Sequence, residues 1–167
     1  RGLGDVYKRQ DKYWVKNFGV SARTMLNKGD HPYMKEQAYQ QALAFNPNIV
    51  VIKLGTNDSK SFNWVYKADF IKDTQTMIDA FKALPSQPEI YLCYPSKAYL
   101  TGESINDDII SKEIIPMIKK VAKKNKLPVI DLHSAMDGMP ELFPDHIHPN
   151  EEGAKVMAKA VYDAIKK

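Results

Sequence analysis

Asp145 and His148 stand three residues apart in Asp145-His146-Ile147-His148-Pro149-Asn150, just before an amphipathic stretch of helical period. A turn ahead of a helix can bring a carboxylate back onto an imidazole Nδ1 three residues on. Such a pair orients a base that takes the proton of a hydroxyl nucleophile. Pro149 restricts the backbone of His148, which favours His148 over His146 as the partner. The same residues also suit a solvated loop flanking a helix cap, so both uses stay open here. A metal site would draw on Asp145, His146 and His148 as well. It would need further ligands, for which only His133 and Asp137 offer, without CxxC or HExxH spacing.

Acyl chemistry at such a base also needs donors aimed at a developing oxyanion. Asn57 follows a strongly apolar run in Leu54-Gly55-Thr56-Asn57-Asp58, where its amide can reach into a cleft or simply serve a turn. Gly19, in Asn17-Phe18-Gly19-Val20-Ser21, can offer a backbone N–H that no side chain obstructs, or can merely end a strand. No segment presents a nucleophilic serine: Ser21, Ser59 and Ser96 read as loop hydroxyls. The lone cysteine, Cys93, lies in Ile90-Tyr91-Leu92-Cys93-Tyr94 and reads as a buried, inert thiol.

The elements that must position these residues alternate. At 167 residues the chain suits one core of ordinary size. Residues 1–10 have neither helical nor strand period. They resemble the translated sequencing-adapter scars at the ends of metagenomic gene fragments, so they are set aside as a non-native leader to a single domain over residues 11–167. Strands are expected over residues 14–20, 48–54, 89–94 and 128–132, the second with the unbroken apolar character of a strand buried on both faces. Helices are expected over 32–45, 68–84 and 107–125, where Pro116 should bend the helix or remove a hydrogen bond, and from Asn150 onward. A polar loop spans 133–148. Strands separated by helices of this length imply a three-layer α/β/α fold with a mostly parallel sheet, in which ligands bind beyond the carboxyl ends of the strands. Gly19, Asn57, Ser96 and the 133–148 loop all fall at that edge.

The net charge of +4 comes from 24 basic and 20 acidic residues, with many lysines on helical faces and no basic cluster interleaved with aromatics, which argues against a nucleic-acid partner. No apolar run has the length of a membrane span. A flavodoxin-like binding domain would share the alternation, but no phosphate-cradling glycine-rich loop is present and no cofactor is implied. A cellular address is not legible, although a periplasmic or secreted bacterial setting fits a protein of this kind.

The three segments together resemble the SGNH hydrolases, also called GDSL-type esterases. Asn17-Phe18-Gly19-Val20-Ser21 is similar to the family's second block, Gly55-Thr56-Asn57-Asp58 to its Gly-x-Asn-Asp block, and Asp145-His146-Ile147-His148 to its Asp-x-x-His block. The resemblance implies a flavodoxin-like SGNH fold, with His148 as base, Asp145 as its acid, and Gly19 and Asn57 as oxyanion donors. It implies hydrolysis of small acyl esters, acetyl groups on carbohydrates among them, and a small-molecule ester as partner. The family's first block, a strand followed by Gly-Asp-Ser, has no match. Gly4-Asp5 is followed by Val6, and too few positions separate Asp5 from Gly19 for a strand, a helix and two loops.

A chain shortened at the front and lacking the nucleophile is therefore expected, with a non-catalytic carbohydrate- or acyl-binding module as the alternative. Loss of an interior strand should leave the edges of 14–20 and 48–54 unpaired. Direct pairing of the two, insertion of residues 4–8, or a strand from a second chain in a homodimer would fill the gap.

Overall fold

The computed structural model describes residues 12–166. In chain order its elements are α1 (Gln37–Ala44), β1 (Ile49–Ile52), α2 (Ser61–Trp64), α3 (Phe70–Lys82), β2 (Glu89–Tyr94), α4 (Asp107–Ile109), α5 (Ile115–Asn125), β3 (Val129–Asp131), α6 (Leu132–Ala135) and α7 (Glu151–Ile165). Short 3-10 turns at Tyr33–Lys35, Asn57–Ser59, Lys67–Asp69 and Pro140–Leu142 punctuate the loops.

The sheet is parallel with order β1-β2-β3, in register Ile49 opposite Glu89, Ile52 opposite Leu92, and Leu92 opposite Val129. Side chains of a strand alternate between faces, and β2 divides them accordingly. Ile90 and Leu92 join a core with Tyr39 and Ala42 of α1, Met77, Ile78 and Phe81 of α3, and Ile118 and Val121 of α5. Tyr91 and Cys93 turn to the opposite face, against Leu132 and Met157, with Val156 and Val161 of α7 packed alongside. The layering is the expected α/β/α. Cys93 is 1% exposed, and burial pushes its thiol up to about 12, so it is un-ionised at neutral pH.

Helix ends follow local chemistry. Asn150 Oδ1 accepts the N–H of Gly153 at 2.9 Å and starts α7, with Glu151 and Glu152 in its first turn. Asn106 caps α4 through the N–H groups of Asp108 and Ile109. Between α4 and α5 the helix widens to a π-turn over Ile110–Ile114, directly ahead of Pro116. A proline at 116 cannot donate to the carbonyl of Lys112 and its ring crowds it, and the wider turn accommodates both.

Three expectations are corrected. Residues 14–20 form no strand. Trp14 and Phe18 instead meet the ring of Phe45 just after α1, with centroids 5.2 and 5.5 Å apart and Trp14 left 83% exposed, and the neighbouring Tyr13 meets Tyr162 of α7 at 6.3 Å with its hydroxyl donating to the Ile165 carbonyl. Direct pairing of this segment with β1 is accordingly absent, and among the described residues β1 is an edge strand with β2 as its one neighbour. The helix expected over 32–45 is shorter, with α1 beginning at Gln37 after a 3-10 turn. The loop expected over 133–148 opens as helix, because Asp131 caps α6 by accepting the Ser134 N–H and hydroxyl. The leader over residues 1–10, and residues 4–8 as a substitute strand, lie outside the described residues.

Candidate functional site

The Asp145–His148 turn is built by backbone geometry. His146 sits in the left-handed region at φ 68°, where a non-glycine residue costs on the order of 1 kcal/mol. Its N–H donates to Phe143 O at 2.9 Å and its carbonyl accepts from Tyr99 N at 2.8 Å. That reversal turns the carboxylate of Asp145 towards the backbone and ring of His148. Asp145 Oδ1 accepts the N–H of His148 at 2.6 Å and of Ile147 at 3.0 Å, and Oδ2 lies 2.6 Å from His148 Nδ1. The His148 N–H, its ring and the Ile147 N–H hold the Asp145 carboxyl well below the usual carboxylate range. An ionised carboxylate only accepts, so the proton of a neutral imidazole belongs on Nδ1 and Nε2 is left as the free basic nitrogen. The side chains are 69% and 55% exposed for His148 and Asp145, so the pair is open to a ligand from solvent.

Asn57 opens the 3-10 turn after β1. Its Nδ2 donates to Arg23 O at 3.2 Å, using one of two amide hydrogens. Beneath it Asp58 is fully buried and accepts from Leu26 N at 2.8 Å and Met25 N at 3.0 Å. Burial outweighs those bonds and pushes its carboxyl up to about 6. Gly55, at φ 126°, is required twice over: a Cβ there would also come within 3.1 Å of Ile114 and of Pro95. The Gly19 N–H donates to Asn17 Oδ1 at 2.8 Å, a local capture that the sequence pattern does not announce. Of the candidate serines, Ser59 donates to Thr56 O and accepts from Asn106 N, Ser96 is buried, and Ser21 is exposed.

Because the strands are parallel, the segments after β1, β2 and β3 emerge at one edge. Hydrogen bonds tie them together there: Ser61 N to Glu103 O at 2.9 Å, Asn106 N to Ser59 Oγ at 2.9 Å, and Tyr99 N to His146 O. Asn57 and the Asp145–His148 turn therefore share that edge. The segment of Gly19 reaches it through Arg23, whose carbonyl accepts from Asn57.

A second carboxylate–imidazole contact has no signature in the sequence. Asp107 Oδ1 lies 3.0 Å from His133 Nε2 and accepts from Ala98 N at 2.9 Å, while Lys97 Nζ sits 2.8 Å from Oδ2. Burial raises the Asp107 carboxyl, but the bonds from His133, Lys97 and Ala98 prevail and leave it at about 2. The cluster clamps the loop after β2 to the start of α6. His133, a candidate metal ligand by sequence, is thus engaged with Asp107, and Asp137 stands 3.9 Å from Lys97.

A family model described as the GDSL-like Lipase/Acylhydrolase family matches residues 1–156. The chain is 51% identical over 175 residues to an acetylxylan esterase of Xylanibacter ruminicola, an alignment covering 93% of this chain and 36% of that protein. It thus spans about a third of that relative's length. Among solved structures, a lipase/acylhydrolase from Enterococcus faecalis is 28% identical with a TM-score of 0.65, over 76% of this chain and 65% of the other. The acetyl xylan esterase AlAXEase is similar in fold, with a TM-score of 0.65 at 20% identity over 88% of this chain and 78% of the other.

Proposed function

Since the chain belongs to the GDSL-like lipase/acylhydrolase family, we propose that it carries the acid–base and oxyanion portion of a serine esterase site that removes acetyl groups from carbohydrate esters. The observation that carries this reading is the 2.6 Å contact of His148 Nδ1 with Asp145, which leaves Nε2 free at the sheet edge that bears Asn57. The substrate class is supported by the 51% identity to an acetylxylan esterase.

In this reading His148 Nε2 takes the proton of a serine hydroxyl as its oxygen attacks the acetyl carbonyl, and Asp145 stabilises the imidazolium. The free amide hydrogen of Asn57 and the N–H of Gly19, released from Asn17, receive the oxyanion. The sugar oxygen then leaves with the proton from His148, and water repeats the sequence on the acyl-serine. The 167 residues contain no Gly-Asp-Ser, and the reading assigns the nucleophile to none of Ser21, Ser59 and Ser96. The β1 edge, which pairs with no further strand among the described residues, also offers a second copy a pairing surface; light scattering at the size of one chain across a concentration series would remove that homodimer from the reading.

The test needs no turnover. Acetylated xylo-oligosaccharide added to isotope-labelled protein should move the resonances of the Asn57 side-chain amide, the Gly19 N–H and the His148 ring, and the unacetylated sugar should leave them in place. Failure of all three to respond would remove the reading. An acetyl-dependent response in Asn57 and Gly19 that His148→Ala leaves intact, with no turnover in the native gene product, would instead favour a non-catalytic acyl-binding module.

A further inference from the structure

Phe62, Val65 and Tyr66 occupy positions i, i+3 and i+4 of the turn that begins with α2, and so share one face of it. They are 56%, 71% and 41% exposed, whereas the intervening Asn63 and Trp64 are buried. An exposed apolar face of this kind marks a contact site for something. Its borders are polar: Lys60 Nζ stands 5.8 Å from the Phe62 ring centroid and Lys28 Nζ 6.0 Å from that of Tyr66, each ammonium also facing a carboxylate, Asp30 at 3.7 Å and Asp69 at 2.9 Å. The turn is fixed to the candidate site, since Asn63 Nδ2 donates to Asn57 O at 2.9 Å and Ser61 N to Glu103 O.

We propose that this face is a carbohydrate platform, on which pyranose rings of a polysaccharide lie against Phe62 and Tyr66 while its acetylated unit extends to Asn57 and His148. The chemistry of the patch, two exposed rings bordered by hydrogen-bonding charged groups, suits a sugar. A pyranose offers an apolar C–H face to an aromatic ring and hydroxyls to the ammonium and carboxylate groups around it. The platform rests on the carbohydrate esterase reading, but it does not need the acetyl group.

Unacetylated xylohexaose is the probe, titrated into the protein by calorimetry and by amide resonance shifts. It should move resonances around residues 60–67 and leave the His148 ring unmoved. Phe62→Ser and Tyr66→Ser should each weaken binding about tenfold, as loss of one apolar contact surface of ring size would do. Both residues are exposed, so an unchanged urea midpoint would show that the fold persists. Absence of binding, or binding that neither substitution weakens, would overturn the proposal. So would a self-association, seen by light scattering, that Phe62→Ser abolishes in a protein with no affinity for the sugar. A response at residues 60–67 with none at Asn57 or His148 to the acetylated sugar would sustain the platform and sink the esterase reading. The reverse pattern would do the opposite.

Discussion

Tyr99 donates its backbone N–H to the carbonyl of His146 at 2.8 Å, so the loop after β2 supports the one left-handed residue of the Asp145–His148 turn. The acid–base pair is local in sequence, but its geometry is held from 47 positions away. Replacing His146 by glycine, which adopts φ 68° freely, should leave stability unchanged or slightly raised. His146→Ile should cost about 1–2 kcal/mol because a β-branched residue resists that conformation. Urea unfolding of the two variants checks this, and equal midpoints would contradict it.

The Asp145–His148 contact should be visible directly. With Nδ1 donating to an ionised carboxylate, proton NMR should show a low-field resonance from the ring N–H that Asp145→Asn removes. Because its partners hold Asp145 below the usual carboxylate range, the contact should survive acidification past the point where an unperturbed aspartate takes up its proton. Early loss, in step with ordinary carboxylates, would contradict it.

Much of this was legible in the residues, for reasons that separate it from what was not. The strands Ile49–Ile52, Glu89–Tyr94 and Val129–Asp131 are apolar runs bounded by Gly, Pro or polar residues, and the start of α7 is announced by Asn150. Asp145 and His148 could be paired on paper because one turn spans them. Asp107 and His133 could not, since they are 26 positions apart and meet only once the strands have been laid side by side. Residues 14–20 have strand-like composition, but composition does not say whether a partner edge is available, and the rings of Trp14 and Phe18 meet Phe45 after α1 instead. The capture of the Gly19 N–H by Asn17 depends on a side-chain rotamer that no pattern encodes.

Two buried carboxylates give stability a pH dependence of opposite sign. Asp107, lowered to about 2 by His133 and Lys97 despite its burial, contributes stability that is complete above its unfolded value near 4 and is lost as the pH falls towards 2. The shift is worth about 2 kcal/mol. Asp58, raised to about 6 by burial, holds a proton in the folded state that the unfolded chain has already released, so stability falls as the pH rises from 4 to 6. The urea midpoint should therefore peak near pH 4. Asp107→Asn should flatten the acid side of the peak, and Asp58→Asn should remove the slope between 4 and 6. A steady decline from pH 7 to 2 would contradict the Asp58 assignment, and a midpoint that does not fall between pH 4 and 2 would contradict that of Asp107.

The chain of 167 residues should show no turnover of p-nitrophenyl acetate beyond what its His148→Ala variant retains, because a base without an oriented hydroxyl has nothing to activate. Turnover that vanishes in His148→Ala and again in Ser21→Ala would instead make Ser21 the nucleophile.

The placement of Cys93 gives the molecule a built-in clock. It is the one sulfhydryl of the sequence, it lies on the central strand beneath α7, and its proton is held far above neutrality. A reagent that attacks thiolates can reach it only when the layer of α6, Phe143 and α7 opens from the sheet, so the rate of alkylation counts opening events rather than chemical reactivity. Labelling kinetics in dilute urea would therefore separate local opening of this layer, with little dependence on denaturant, from cooperative loss of the whole sheet.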